Sequence, residues 1–559
     1  MIDLLHTALA ADLPAALAAA SPMAEKLRYL IPEIILFTAT FAVLVTGLSP
    51  SASIRRLSAA ISALALIAAG LAALNTPTPP TALLPNLIPF SKVLIAAVGL
   101  LLVLLVAGTV DRDFESAIDR GTPFDAIRAT RGEFYAFILF SLTGLMLCAT
   151  ADDLIWLFLA LELTSLPTYV MVSISTARTR SQEAGIKYFF LGALGAAFFL
   201  YGFTLLYGAT GTTLLFGNAD VPGIAQILAA QLAQNGQLGA LALTGLVISM
   251  VGVGFKIAAV PMHFYTPDVY EGAASSVSGY LAFVPKAAGI ITLILLASTV
   301  GWTASAAGGL PEPIRVFLWV VAAMTMTVGN VLALLQSNVK RVLAYSSIAH
   351  SGYLLVGIIT GPASADAPVS QNGLAASLFY LLCYGFMNLG AFAVLASLER
   401  SSRRAPGEEI ETFDDLKGLC STHPLQGWAM ILCALSLAGL PPLLGFWGKL
   451  YLFTSAIAAG EILLVIVMGL NSAIALYYYL RLAATPFMER ASGGAALTYT
   501  PSPTRRLAAL LSAASVVLLV PFTWWLIRES DRAAEFRPAQ PARAALIAPL
   551  PASAPPAAP

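Results

Sequence analysis

Apolar stretches of about twenty residues recur along almost the whole chain, and this recurrence constrains the fold more than any other feature. A helix of about 20 apolar residues crosses the roughly 30 Å hydrocarbon core of a bilayer. The pattern therefore predicts an all-α membrane protein with about fourteen transmembrane helices. The predicted spans lie near residues 27–48, 57–74, 91–109, 133–149, 153–174, 187–208, 238–262, 276–299, 314–336, 341–360, 372–397, 425–457, 462–482 and 506–527.

The charge content supports the same fold class. Charged residues make up 11% of the 559 residues and hydrophobic residues 58%, whereas soluble domains usually carry about 25% charged residues. The 30 basic and 30 acidic residues balance, which excludes a basic nucleic-acid binder and an acidic disordered chain. A lipid bilayer is the expected surrounding, and no nucleic acid is expected as a partner.

Two of the predicted spans are interrupted. The span 238–262 contains Pro261, and the long span 425–457 contains Pro441 and Pro442. Proline cannot continue a helix regularly. Broken helices at membrane depth occur inside protein or beside a wet cavity, where transporters often bind their ions. Because the two spans lie five helices apart, they are expected to be copies that are inverted across the membrane.

The basic residues concentrate in every second loop. Loops that follow odd-numbered spans hold most of them, whereas loops that follow even-numbered spans hold none. By the positive-inside rule the odd-numbered loops face the cytoplasm, and fourteen spans then place both termini in the periplasm. The basic loop residues include Arg55, Arg56, Arg112, Arg128, Arg178, Arg180, Lys340, Arg341, Arg403, Arg404, Arg505 and Arg506.

Five ionisable residues stand in apolar surroundings within the predicted spans, where a charge costs about 2.5–3.5 kcal/mol. They are Glu162, Lys187, Lys256, Lys286 and Lys449. Glu162 lies about 14 Å into its helix, so a proton-titrating role is expected there. The alternatives are a neutral hydrogen-bonded carboxyl for Glu162 and snorkelling for Lys286. Lys256 and Lys449 could instead cap helix carbonyls, and Lys187 could be a cytoplasmic anchor.

Three further residues are candidates for the same polar chain, with an ordinary structural role as the alternative for each. They are His263, His350 and Lys340. No two histidines have the spacing of metal ligands, so no metal site is predicted. The chain has no Walker A loop, no G-x-G-x-x-G unit, no haem motif and no cysteine set for an iron–sulfur cluster. No cofactor is therefore expected in this chain.

Lysines beside a carboxylate suit the transfer of protons. A lysine removed from water releases its proton more readily, and a nearby carboxylate reverses that effect. Moving the carboxylate, or changing its charge, therefore switches the lysine between holding and releasing a proton. Such groups titrate as a coupled set, and water between them can pass protons from one to the next.

Three runs of sequence resemble the proton-pumping subunits of respiratory complex I and the related Mrp-type antiporters. These runs are FKIAAVPMHFYTPDVYEGAASSVSGYLAFVPKAAG (255–289), QSNVKRVLAYSSIAHSGY (336–353) and LSLAGLPPLLGFWGKLYLF (435–453). Two more, at 152–170 and 183–202, are most similar to the subunit N branch of NADH-quinone oxidoreductase. The resemblance covers most of the chain between about residues 27 and 490.

The resemblance implies a role for each charge. It implies that Glu162 and Lys187 form an ion pair and that Lys256 is the central proton site. Lys286 would connect that site to Lys449, which would be the exit or the link to the next subunit.

The resemblance also implies two inverted five-helix repeats. For the N-terminal extension, a short periplasmic helix or strap is favoured over a cleaved signal peptide. The expected segments are the periplasmic extension (1–26), three N-terminal transmembrane helices (27–132), the first repeat (133–299), the second repeat (300–482), the last transmembrane helix (483–527) and a Pro- and Ala-rich tail without fixed structure (528–559).

The implied function is proton translocation across a bacterial inner membrane, coupled to electron transfer from NADH to quinone in other subunits. NADH, FMN, iron–sulfur clusters and quinone would bind to partner subunits. Neighbouring antiporter-like and small transmembrane subunits of complex I would contact this chain. The alternatives are a subunit of an Mrp-type cation/proton antiporter or of a membrane-bound hydrogenase, a stand-alone secondary transporter, and a structural scaffold that keeps ancestral charges.

Overall fold

A computed structural model describes residues 27–79, 82–176, 179–217, 221–302, 309–363, 368–401, 408–489, 496–500 and 502–539. The predicted extension 1–26 and most of the predicted tail lie outside these residues. The helices are α1 (Ile31–Gly47), α2 (Ala52–Leu74), α3 (Leu87–Val106), α4 (Arg112–Asp119), α5 (Arg131–Ala149), α6 (Leu154–Ile174), α7 (Thr179–Thr210), α8 (Ile224–Asn235), α9 (Ala240–Lys256), α10 (Tyr265–Gly272), α11 (Ser275–Val300), α12 (Glu312–Leu334), α13 (Val339–Thr360), α14 (Gly373–Ser397), α15 (Phe413–Leu416), α16 (Leu419–Thr422), α17 (Pro424–Ala438), α18 (Leu444–Ala458), α19 (Ile462–Met488), α20 (Pro503–Leu518) and α21 (Thr523–Ala533).

The described chain is a mostly helical membrane protein, as predicted. Ten of its helices are long and apolar enough to cross a membrane. An eleventh crossing results if Pro503–Leu518 and Val520–Ala533, bent by 49°, form one span. Three shorter apolar helices, α1, α9 and α17, overlap other predicted spans.

Both predicted interruptions are present. Helix α9 ends at Lys256, and the chain becomes helical again only at Tyr265, where α10 begins. Helix α17 ends at Ala438, where Gly439 adopts a left-handed conformation with φ of 84°, and α18 begins at Leu444. A left-handed glycine is a common helix stop because it has no Cβ to clash. The breaks leave backbone carbonyl groups available inside the protein.

A small sheet corrects the prediction of an all-α chain. It consists of β1 (Leu398–Ser401), β2 (Glu408–Glu409) and β3 (Ala496–Tyr499), in the order β2-β1-β3 with both pairs antiparallel. The strands belong to predicted odd-numbered loops, on the face of the molecule that carries the loops rich in arginine, which we call the basic face. The last helix also continues to Ala533, so the predicted tail begins later than residue 528.

Three helices form the centre of the protein. Every residue of α11 is buried, and nearly all residues of α13 and α14 are buried too. Helices at the periphery, including α1, α7 and α19, turn large apolar side chains outward. Outward apolar side chains are expected where lipid or another transmembrane subunit surrounds a helix. The centre is therefore the place where buried polar groups have a structural or functional reason to exist.

Close backbone contact between α5 and α6 holds the helix that carries Glu162. A Cβ atom on Gly144 would stand 2.5 Å from the backbone nitrogen of Thr164 and 2.8 Å from the carbonyl carbon of Leu163. Backbone atoms inside two packed helices cannot move aside cheaply. Only glycine fits at this crossing.

We expect Gly144→Ala to lower the thermal stability of the purified protein, because forcing a methyl group into a packed site costs about 1–3 kcal/mol. The matched control is Gly208→Ala, whose new Cβ would lie 3.7 Å from the side chain of Leu241. Melting of both variants is measured by differential scanning fluorimetry in detergent. Equal melting temperatures for the two variants would contradict the packing argument.

Candidate functional site

The end of α9 brings Lys256 against the middle of α6. The Nζ of Lys256 lies 3.3 Å from Oε1 of Glu162 and 3.5 Å from the carbonyl oxygen of Leu161, and it also hydrogen bonds to the hydroxyl of Ser165. The lysine side chain is 1% exposed and that of Glu162 is 18% exposed. Lys256 therefore does not cap its own helix, and it forms a buried ion pair with Glu162.

Lys286 occupies the middle of the buried helix α11. Its Nζ donates to the carbonyl oxygen of Ile257, 2.9 Å away, and to the hydroxyl of Ser351, 2.8 Å away. Ile257 is the first residue after Lys256, in the break that follows α9. Within the described ranges, no ion pair joins Lys286 to a carboxylate. The residue is 99% buried and its Nζ is bonded inside the protein, so it does not snorkel.

Lys449 meets the other broken helix. Its Nζ donates to the carbonyl oxygens of Leu437 at 3.0 Å and Ala438 at 2.8 Å, which are the last residues of α17. The same atom lies 5.4 Å from the ring centroid of Tyr353. These contacts are those of a lysine that caps helix carbonyls, the structural alternative for this residue, and they do not prevent it from also accepting or releasing a proton.

His350 joins the two lysines through a cluster of tyrosines. Its Nδ1 lies 2.6 Å from the hydroxyl of Tyr380, and its Nε2 lies 2.7 Å from the hydroxyl of Tyr479. The ring of Tyr353 stands 5.7 Å from the His350 ring and faces Lys449. His350 immediately precedes Ser351, the hydrogen-bond partner of Lys286, on α13. His350 thus lies between the hydrogen-bond partner of Lys286 and a tyrosine that faces Lys449, and its part in a polar chain stays a prediction.

Together these residues form a series of neighbouring polar groups in the interior of the protein. We call Glu162, Lys256, Lys286 and Lys449, with His350 between the last two, the lysine row. Each member is connected to the next by a hydrogen bond, by adjacent residues or by ring contacts shorter than about 6 Å.

Lys187 does not pair with Glu162, which corrects one of the predictions. Its Nζ lies 2.8 Å from Glu183 and 3.0 Å from Asp268, and its side chain is 43% exposed. Glu183 precedes it by one helical turn on α7, and Asp268 lies on α10. Because Lys187 begins the apolar part of α7 near the basic face, it reaches this surface network instead of the membrane interior.

The two other candidates lie apart from the row. The Nζ of Lys340 is buried at the start of α13 and donates to the carbonyl oxygen of Ala273 at 2.6 Å. His263 lies in the break between α9 and α10, and its ring centroid lies 4.4 Å from that of Phe264, with the two rings tilted by 34°. Its Nδ1 is buried, without a hydrogen-bond partner among the described residues. No hydrogen bond or ion pair joins either residue to the lysine row among the described residues.

Several hydroxyl groups of the site were not identified from the sequence. Ser165 follows Glu162 by three residues, and Ser347 and Ser351 are four residues apart, so each lies on the functional face of its helix. This spacing could have identified them. Tyr380 and Tyr479 occur within apolar helices, where nothing distinguishes them from tyrosines that only pack.

The site contains no obvious metal ligands. In the part of the chain that the structure describes, no three His, Cys, Asp or Glu side chains are grouped to hold an ion. The chemistry available to the lysine row is the binding, holding and passing of protons. Its ammonium, carboxylate, imidazole and hydroxyl groups can all exchange protons over hydrogen-bond distances.

Comparison with known proteins gives consistent matches. The family model for the transmembrane region of NADH:quinone oxidoreductase and Mrp antiporters matches residues 151–475. NADH-quinone oxidoreductase subunit N of Trichlorobacter lovleyi is 38% identical over 461 residues, which cover 81% of this chain and 86% of that protein. Subunit N of Myxococcus xanthus is 42% identical over 72% of this chain and 79% of its own length.

Solved structures give matches to the same group of proteins. A chain of respiratory complex I from Thermus thermophilus, solved with bound aureothin, has 30% sequence identity and a TM-score of 0.69, and the match covers 89% of this chain and 99% of that one. A chain of the Mrp complex from Dietzia sp. DQ12-45-1b shares the fold, with a TM-score of 0.69 and 20% identity. The fold and its buried lysines define an antiporter-like membrane subunit. Within that class, the chain belongs to the family of NADH-quinone oxidoreductase subunit N.

Proposed function

We propose that this chain is a proton-translocating subunit in the membrane arm of an NADH-quinone oxidoreductase. The observation that carries the proposal is the lysine row, a series of neighbouring ionisable groups in the interior of a membrane protein of this family. Buried charge within a membrane is costly and usually functional. Electron transfer from NADH to quinone, with its FMN and iron–sulfur clusters, belongs to partner subunits.

Lys256 is the central proton site in this proposal, and Glu162 controls it. While the Glu162 carboxylate is ionised and near, the ammonium form of Lys256 is stabilised. If the carboxylate moves away or becomes neutral, the buried lysine loses that stabilisation and releases its proton. In this proposal the ion pair of Glu162 with Lys256 replaces the ion pair of Glu162 with Lys187 that the family resemblance implies.

Lys286 and Lys449 continue the transfer. Lys286 has only neutral oxygen atoms as hydrogen-bond partners in the described structure, so the arrival of a proton from Lys256 changes its charge without breaking an ion pair. His350 and the hydroxyls of Tyr380 and Tyr479 pass the charge toward Lys449. Lys449 is the exit, or the link to the next subunit.

The proposal includes the full architecture of fourteen crossings. Ten long helices, one bent pair and three shorter apolar helices coincide with the fourteen predicted spans. The two broken helices lie five spans apart, which supports inverted repeats at residues 133–299 and 300–482. The basic face would be cytoplasmic, and both termini periplasmic, in a bacterial inner membrane.

Purification of the tagged chain from native membranes tests the proposal against its rivals. We expect it to co-purify with subunits that carry flavin and iron–sulfur clusters, detected by absorbance and electron paramagnetic resonance, and with NADH-dependent quinone reductase activity. A cation/proton antiporter complex would lack flavin and would exchange sodium for protons. A stand-alone transporter would catalyse transport after purification alone. Either of these results would reject the proposal.

A further inference from the structure

A cavity of about 1400 Å³ opens on the basic face. It lies between the end of α6, the junction of α10 with α11, the start of α13 and the three-stranded sheet. Three of the residues that line its floor and wall are Lys340, Glu409 and Glu411. The cavity is large enough for many water molecules, since one water needs about 30 Å³.

The three ionisable side chains form a cluster at the floor of this cavity, which we call the floor cluster. The Nζ of Lys340 is 3.7 Å from Glu411 and 3.9 Å from Glu409, and its side chain is 1% exposed. The two carboxylates are only partly buried. The cluster therefore has one buried cation and two acids that water in the cavity can reach.

Glu409 is tied directly to the helix that carries Lys286. Its Oε2 accepts hydrogen bonds from the backbone nitrogen and from the hydroxyl of Ser275, each at 2.7 Å. Ser275 is the first residue of α11. A carboxylate at this position satisfies free backbone N–H groups and complements the helix dipole. The acid thus comes from the extramembrane sheet but sits at the end of the Lys286 helix.

Polar side chains continue from the floor cluster down one face of α13. Lys340, Ser347 and Ser351 are separated by seven and four residues, so they share a helix face, and about 16 Å separates the first from the last. The hydroxyl of Tyr384 donates to Ser347 at 2.7 Å. Ser351 accepts from Lys286. The stripe ends at the lysine row.

Unpartnered hydroxyl groups indicate that the cavity is wet. Thr500 lines it and is 4% exposed, and its Oγ1 has no hydrogen-bond partner in the described structure. The hydroxyl of Thr176, also in the lining, is buried and unpartnered within the same ranges. Buried hydroxyls in proteins nearly always bond to protein or water. Water in the cavity would satisfy both groups.

We propose that the floor cluster is the site at which a proton is taken up from the cytoplasm and delivered along α13 to Lys286. The inference rests on the proposed function, because it needs the lysine row as its destination. A proton from water in the cavity binds to Glu411 or Glu409, and the charge of Lys340 offsets one of the two carboxylates. The proton then passes through water and the hydroxyls of Ser347 and Ser351.

Other charged groups face the cluster. Arg180 on α7 lies 3.9 Å from Glu411 and pairs with Glu271 on α10. Arg505 on α20 bonds to backbone oxygens of Ala107 and Ala396. Arg112 pairs with Glu399 of β1 at 2.6 Å across the cavity. Arg180 and Arg505 thus also act on the charges of Glu411 and Glu409, whereas Arg112 is paired with Glu399.

The segment that presents the two acids is held firmly. Asp415 accepts two hydrogen bonds from Arg400 of β1, at 2.7 and 2.6 Å, and one from the backbone nitrogen of Glu411 at 3.1 Å. Burial raises the pKa of Asp415, but these hydrogen bonds outweigh it and hold the pKa below its usual value. Asp415 therefore stays ionised at neutral pH and keeps Glu411 at the floor of the cavity.

The test measures proton pumping by the complete complex in vesicles while the cytoplasmic-side pH is varied. The main variant is Glu409→Gln with Glu411→Gln, which keeps a hydrogen-bond acceptor for Ser275. We expect pumping to fall about tenfold at alkaline pH, where protons are scarce, and to recover at acid pH, because uptake without a positioned acid becomes limiting only when protons are few. The control is Lys417→Gln, which removes a partly exposed lysine that pairs with Asp414 and Glu489 on the same face.

The outcomes separate the two proposals. A wild-type pH profile for the double variant overturns the uptake site, and so does a loss of equal size at every pH, which a merely structural role would cause. If the double variant does not assemble, Glu411→Gln alone is judged by the same criteria. Lys256→Ala is measured in parallel. If it pumps normally, the proposed function fails, whereas an inactive Lys256→Ala with a normal double variant rejects only the uptake site.

Discussion

Replacement of Lys256 by alanine is expected to abolish proton translocation through this subunit while the protein still assembles. The change removes the one ammonium group that connects Glu162 to the rest of the lysine row. It leaves the Glu162 carboxyl group with no cation beside it, and Glu162 can no longer control a proton on the row. Loss of a positioned proton-transfer group typically costs about 100-fold or more in rate. Proton pumping is measured by the quenching of a pH-sensitive dye in vesicles driven by NADH.

The chain offers a matched control for this result. Lys92 on α3 and Glu33 on α1 form a second buried ion pair at 2.8 Å, with both side chains almost fully buried and no hydrogen bond or ion pair to the row among the described residues. Breaking a buried pair by removing one partner costs about 3–5 kcal/mol of stability in either place. Lys92→Ala should therefore lower stability but leave pumping per assembled complex unchanged.

The comparison between Lys92→Ala and Lys256→Ala tests the assignment of Lys256 as a proton site. If Lys92→Ala and Lys256→Ala lose pumping equally in assembled complexes, the effect belongs to any broken ion pair and not to the lysine row. If assembly itself fails for Lys256→Ala, the double variant Lys256→Met with Glu162→Gln removes both charges and should restore it. That double variant should assemble and still not pump.

The sequence predicts the residues of this site whose burial in the membrane costs free energy. A lysine or glutamate within an apolar span is expensive, so Glu162, Lys256, Lys286 and Lys449 are visible without any structure, and all four meet in one row. The interruptions are visible for the same kind of reason, because Pro261 and the Pro441–Pro442 pair cannot continue a helix.

The partners of these residues depend on which helices touch, and the local sequence does not contain that information. Lys187 and Lys256 are both lysines beside apolar runs, yet only Lys256 reaches Glu162, because α9 ends beside α6 whereas Lys187 faces α10. The sheet was missed because its strands have two to four residues each and lie in separate loops. Strands this short leave no alternating pattern to detect.

Lys286 and Lys187 should respond very differently to alanine substitution. Lys286→Ala should lower proton pumping about 100-fold, because its buried Nζ is the link between the break after Lys256 and Ser351. Lys187→Ala should keep more than about half of the wild-type rate, since an exposed ion pair contributes only about 0–1 kcal/mol. The two variants remove the same side chain from the same membrane protein, so they control for each other.

The ranking of these two variants tests the depth of each lysine as well as its role. The hydrogen-bond partners of Lys286 in the described structure are neutral oxygen atoms, so its removal leaves no carboxylate unpaired, and a loss of pumping cannot be attributed to a stranded charge. Lys187→Ala leaves Asp268 still paired with Arg341 at 2.9 Å. If Lys187→Ala were the more damaging, the network on the basic face, and not the lysine row, would limit translocation, because only there does Lys187 have partners among the described residues.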